Sequence, residues 1–311
     1  MKKILIATTA LVATAGIAAA DVTLSGAGRF GLSYDGAAAV GIQKTTITHR
    51  LRFNIDASKE TDSGVTFGGR IRMQHQQGGA TAGLNAANVY ASYNGLKVAV
   101  GNVGGAYDDA KNAYASEIGF IGQSFGDPSG NYYGYSSGGG GGNRMGINAT
   151  YSMAGFDLEA SYINPDQTAK VLPVGQAAEF ALAASYTMNQ FTIAAAGATN
   201  GGGVKNNDVY YVGVEYAVND MANVGLLYFD NGNKLIGGNT ITLYGNYKMD
   251  AITFRGYVAS NNKAANSAVG MSKTAFGIGA DYDLGGATLA GGIERGYAKQ
   301  TRANLGVKFG F

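Results

Sequence analysis

The 311-residue chain has no cysteine, no tryptophan, three prolines and only two histidines. Without cysteine it has no disulfide frame and no thiolate for catalysis or zinc binding. Long hydrophobic runs are also missing. Beyond residue 20 none approaches the ~20 apolar residues that a membrane helix needs, although 46% of the residues are hydrophobic. No 3.6-residue period is sustained anywhere, and 50 glycines are too many for helices and follow no collagen repeat. Helical bundles, helical membrane proteins and fibrous proteins are therefore excluded.

What the chain does have is a period of two. Val22, Leu24, Phe30, Leu32 and Tyr34 oppose Thr23, Ser25, Arg29 and Ser33. Ile47, Leu51, Phe53 and Ile55 oppose Thr48, Arg50, Arg52 and Asn54, and Val65, Phe67, Ile71 and Met73 oppose Thr66, Arg70, Arg72 and Gln74. Such alternation marks strands with one apolar and one polar face. Further strands centre on Tyr90, Val98, Ile147, Leu158, Leu182, Ile193, Val212, Leu226, Leu243, Phe254, Ile278 and Leu289. A last one carries Ala303, Leu305, Val307, Phe309 and Phe311 on its apolar face. The expectation is all-β: a transmembrane antiparallel barrel of about 16 strands, in the even-numbered range of outer-membrane barrels.

Connection lengths support this. Short turns fall at 60–64, 94–95, 154–155, 189–190, 219–220, 249–250 and 285–286, with longer polar loops at 36–44, 76–85, 103–142, 164–178, 199–207, 231–239, 260–273 and 295–301. Alternation of short and long connections is a second signature of such barrels. Pro128, Pro165 and Pro173 all lie in long loops, as residues that cannot donate to a ladder should. With both ends of the barrel on the short-turn side, the sheet closes and leaves no unpaired edge. A β-sandwich would have shorter strands, and its loops would not sort by side.

Residues 1–20 read as a cleaved signal peptide: Lys2 and Lys3, a short apolar stretch, then Ala18-Ala19-Ala20. A single barrel domain at 21–311 follows. Lys2 and Lys3 belong to the leader, so the other 21 basic residues balance 21 acidic ones. No basic excess remains to suggest nucleic acid as a partner.

One connection is unlike the rest. From 103 to 142 alternation is lost, the acids Asp108, Asp109, Glu117 and Asp127 gather, and Gly138 to Gly142 read as a tether. Asn143-Arg144 does not supply the Lys-Ser/Thr of a phosphate-binding loop. Arg29, Arg50, Arg52, Arg70 and Arg72 share the polar parity, so they form a basic wall inside the barrel. If the second and third strands pair about Thr61, Arg50 faces Arg72 and Arg52 faces Arg70. Like charges so placed need water and counter-charges nearby, and the loop acids are the supply. A basic wall facing an acidic loop sets a transverse field that selects ions. Asp108 and Asp109 also leave calcium open as a ligand, without a diagnostic motif; no other cofactor is expected.

The segments Gly101-Asn102-Val103 to Ser124-Phe125-Gly126, Arg50-Leu51-Arg52, Gly64 to Gly68, Asp166-Gln167-Thr168 and Leu243 to Tyr247 resemble the general porins of purple non-sulfur bacteria such as Rhodobacter. The likeness extends over the whole chain after the leader. It implies a homotrimer in outer-membrane lipid, with the third long loop folded into the lumen. It also implies that Phe311 is part of the assembly signal. Family members often carry an acid before Ser-Glu in that loop, whereas this chain reads Ala115-Ser116-Glu117, so one constriction carboxylate is missing. The expected function is passive diffusion of ions and small hydrophilic solutes. Substrate-specific channels and plugged structural or adhesive barrels are the alternatives. An enzyme is not expected, because His49 and His75 lie on the lipid-facing parity, away from any Ser or Asp they could activate. The 20 Tyr and 13 Phe must build the interfacial girdles without tryptophan.

Overall fold

The computed structural model describes residues 21–79, 82–137, 143–232, 237–263 and 271–311. The proposed leader and the glycine run Gly138 to Gly142 lie outside them. Among the described residues seventeen strands form one sheet. The first six are β1 (Asp21–Asp35), β2 (Thr45–Glu60), β3 (Thr66–Gln76), β4 (Gly83–Leu84), β5 (Asn88–Tyr93) and β6 (Leu96–Gly101). Next come β7 (Met145–Met153), β8 (Phe156–Asn164), β9 (Glu179–Met188), β10 (Phe191–Thr199), β11 (Val209–Asn219) and β12 (Ala222–Asp230). The last are β13 (Asn239–Met249), β14 (Ile252–Asn261), β15 (Thr274–Asp283), β16 (Ala287–Arg295) and β17 (Thr301–Gly310).

Apart from β4 and β5, each strand pairs antiparallel with its neighbour in sequence, and β1 pairs with both β2 and β17, so the sheet closes. Strands β4 and β5 both pair with β3 and are two pieces of a single pass, which leaves 16 passes around the wall. The interruption at 85–87 is where Asn102 ties in. Its backbone N–H donates to Ala87 O at 3.0 Å and its side-chain amide to Ala86 O at 3.0 Å. Closure matters because a backbone group left unpaired in hydrocarbon costs several kcal/mol (~2–7).

The period of two becomes an outside and an inside. Leu24, Phe30, Ile47, Phe67, Leu158, Leu182, Val212, Leu243, Ile278 and Leu305 are exposed on the outer surface. The core lies within the barrel, where Tyr211, Leu227, Phe229, Tyr244 and Tyr257 are buried together with Tyr107 and Ile118 of the long loop. Cross-strand aromatic pairs cluster beside the short turns: Phe156 with Tyr186, centroids 4.0 Å apart, and Phe191 with Tyr216 at 4.8 Å. No helix among the described residues is long and apolar enough to cross a membrane.

The β2–β3 register differs from the expectation. Arg50 faces Gln76, Arg52 faces Gln74, Asn54 faces Arg72 and Asp56 faces Arg70. The turn centres on Ser63 because Thr61 closes it on Val65, N to O 2.9 Å, with Gly64 at φ +80°. Moving the turn centre by two residues shifts each partner by four and replaces like-charge pairs with compatible ones. Arg70 Nε lies 2.6 Å from Asp56 Oδ1, and Arg72 Nε donates to Asn54 Oδ1 at 2.8 Å.

Candidate functional site

The loop between β6 and β7 runs along the inner wall on one side of the lumen. Ala106 N–H donates to Ser161 of β8, Tyr133 N–H to Glu179 of β9, and Tyr211 OH of β11 to Lys111 O. Further on, Thr242 of β13 donates to Gly126 O, Phe125 N–H to Tyr257 OH of β14, and Phe120 N–H to Asn304 Oδ1 of β17 at 2.9 Å. These anchors cover the wall from β8 to β17. On the β1–β3 wall, where the arginines sit, the loop touches Arg29 through Ile121 and Arg72 through Tyr135 and Ser137.

Glycines pave the floor under the loop tip. A Cβ on Gly292 would sit 3.0 Å from Ile118 Cγ1, and one on Gly31 would sit 2.9 Å from Phe120 Cζ. Ile118 and Phe120 therefore lie flat against a wall stripped of side chains, only 1% and 2% exposed. Nothing in the loop's own sequence identified these two as anchors. The inward-facing glycines were the available signal.

The five arginines have distinct partners. Arg29 Nη1 donates to Ile121 O on the loop, Arg52 Nε to Gln74 Oε1 at 2.8 Å, and Arg72 Nη1 to Ser137 Oγ at 2.8 Å. The Arg72 guanidinium also lies 4.3 Å from the centre of the Tyr135 ring. Arg50 has no hydrogen bond or ion pair among the described residues. Register places Lys308 of β17 opposite Arg29, and Arg29 opposite Arg50, so three cations stand in a row across β17, β1 and β2. The sequence reading missed Lys308: its polar parity was visible, but its alignment with Arg29 exists only after closure.

The loop acids divide. Asp108 accepts from Tyr114 OH at 2.6 Å, and Asp127 accepts from Ser116 Oγ at 2.7 Å. Asp109 lies beside Glu159 of β8, whose carboxylate takes the Asn148 amide at 2.5 Å. Crowding by loop and wall pushes the Asp109 carboxyl up to about 7, helped by Glu159 and Asp108, although the side chain still meets lumen water. Burial also raises Asp127, against the opposing Ser116 hydrogen bond. Glu117 is the loop acid whose field reaches the basic wall. Burial raises its pKa, and Lys308, Arg29, Arg255 and Arg50 pull it back down. A recess of ≈ 590 Å³ separates the two sides, lined by Arg29, Arg50, Lys308, Glu117, Phe120 and Ile121 among others. Among the described residues no three His, Asp or Glu side chains gather as a metal site.

A closed barrel with an apolar outer band and a charged lumen is a channel-forming protein of the outer membrane. A family model described as Gram-negative porin matches residues 7–301. A porin of Fuscovulum blasticum is 42% identical over 298 residues, covering 94% of this chain and 100% of that one. A solved triple mutant of the Rhodopseudomonas blastica porin superposes with a TM-score of 0.87 at 41% identity, covering 93% of this chain and 100% of its own. A structure described under asymmetric conductivity of engineered proteins gives the same TM-score and identity, with 94% of this chain covered. The chain belongs to the Gram-negative porin family. It is an integral outer-membrane barrel whose lumen passes ions and small hydrophilic solutes by passive diffusion.

Proposed function

We propose that this porin works as a homotrimer whose channel narrows between the third loop and the arginine wall, without catalysis or a required metal. The carrying observation is the loop held across the lumen, anchored on β8 to β17 and meeting Arg29 and Arg72 of the arginine wall, with Arg50 lining the recess between them. Solutes on this reading are sorted by pore width and charge, as in other charged constrictions. The field runs from the arginines toward Glu117. The other loop acids add little to it, since Asp108 and Asp127 are engaged with Tyr114 and Ser116.

Single-channel recording of the purified protein in a planar bilayer tests this. Stable conductance steps grouped in threes are the expected result. Silence from folded protein would overturn the open-channel reading in favour of a plugged barrel.

A further inference from the structure

Three cations in register across adjacent strands are an unfavourable arrangement in a sheet wall. Like charges directly opposite destabilise the pairing. The wall elsewhere resolves the same problem: Arg70 has Asp56, and Arg255 has Asp281 at 3.0 Å. In the Lys308–Arg29–Arg50 row only Lys308 has a wall acid, the same Asp281, at 3.4 Å. Arg29 reaches a neutral carbonyl of the loop, and Arg50 has no hydrogen-bond or ion-pair partner among the described residues. Adjacent strands lie ~4.8 Å apart, so the row spans about 10 Å. Arg52, one step along β2, faces Ala27 and adds a fourth cation to the same patch. The row borders the recess of ≈ 590 Å³, large enough for a small solute.

We propose that the Lys308–Arg29–Arg50 row is a binding station for small oxyanions, which makes phosphate- or carboxylate-bearing solutes the favoured cargo of this channel. The inference rests on the open-channel reading above and adds a solute class to it. Guanidinium forks take carboxylate and phosphate oxygens through paired N–H donors, a geometry that chloride cannot use. Arg50 offers an unoccupied fork, and Arg29 on the neighbouring strand allows a second grip. Glu117 across the recess keeps the site from becoming a trap. A permeation site must attract its solute and still release it, and the carboxylates of Glu117 and of Asp283, which also lines the recess, weaken the hold on an anion.

The test is chloride current through single channels in a salt gradient, with inorganic phosphate added at increasing concentration. The expected results are a reversal potential on the anion side and a graded block of chloride current by phosphate. Arg50→Gln should raise the half-blocking concentration about tenfold, the scale of one lost charge-assisted contact. Arg295→Gln, at the loop end of β16, should leave it unchanged. An open channel that phosphate does not block, or that phosphate blocks equally in wild type and Arg50→Gln, would overturn the proposal and leave the channel reading intact. Absence of any conductance would overturn the channel reading itself. Because Arg50 has no partner to orphan among the described residues, its replacement should not unfold the barrel. Arg29→Gln, which frees only one loop carbonyl, is the second variant and should raise the half-blocking concentration in the same way.

Discussion

Asp109 supplies the protein with a titration near neutrality. Its carboxyl is raised to about 7 by burial, then by Glu159 and Asp108. A raised carboxyl binds its proton more tightly in the docked loop than in a free one. Its contribution to docking is therefore complete below the ordinary carboxylate range and is lost as pH rises through about 7. Asp127, also raised by burial, acts in the same direction. Ionising Asp109 also adds a negative charge to the lumen. The reversal potential should drift toward the cation side between pH 6 and 8, a range on the order of one unit either side of its pKa. Asp109→Asn should abolish that drift. A drift of equal size in the variant would assign it to another group. Gly104 is part of the same arrangement, because a Cβ there would collide with Asp109 Oδ2.

At the scale of the element, the third loop can be moved in opposite directions. Gly292→Val places its Cβ 3.0 Å from Ile118 Cγ1 and 3.2 Å from Gly119 N, loop atoms rather than wall atoms. Overpacking of this kind costs about 1–3 kcal/mol, and here the loop yields before the β-wall does. It is lifted into the lumen, so conductance should fall. Deleting 109–126 removes the same obstruction, so conductance should rise in protein that retains barrel mobility on unheated gels. Two changes of the same sign would mean that the loop does not set the width. Strands and connections were legible in the sequence because Val22, Leu24 and Phe30 alternate with Thr23, Ser25 and Arg29, and because the prolines stay in the loops. The common face of the five arginines followed from the same parity. The β2–β3 register did not, since Thr61 closes the turn through side-chain hydrogen bonds that alternation cannot reveal. Nor did the orientation of the loop acids: an aperiodic segment has no parity, and Asp108, Asp109 and Asp127 turn toward Tyr114, Glu159 and Ser116 for reasons of local packing.

For the whole molecule the decisive joint is the β1–β17 seam, where a linear chain becomes a barrel. Phe311 extends the ladder past β17: Gly26 N–H donates to Phe311 O at 2.7 Å, and Phe311 N–H to Gly26 O at 3.1 Å. Its ring covers Gly26, where a Cβ would sit 2.5 Å from Phe311 Cζ, and Phe309 covers Gly28 in the same way. Glycine on one strand and phenylalanine on the other form a complementary seam, in which the ring shields backbone that the glycine leaves bare. Phe53 of β2 meets the Phe311 ring edge-on at 5.3 Å, so the seam is bound to a third strand. Such an aromatic pair is worth about 0.5–1.5 kcal/mol beyond its buried area. That is small beside a closed barrel but large for the last step of closure, when only the seam remains to form. Phe311→Ala should therefore lower the yield of closed barrel on refolding into lipid much more than it lowers the melting temperature of barrel already formed. Gel mobility of unheated samples reads the first and thermal unfolding the second. Phe311→Leu keeps an apolar cover but loses the ring contact, so its yield should fall between the two. Equal yields for all three proteins would mean that closure is driven by the β-ladder alone and that the glycine–phenylalanine seam is incidental.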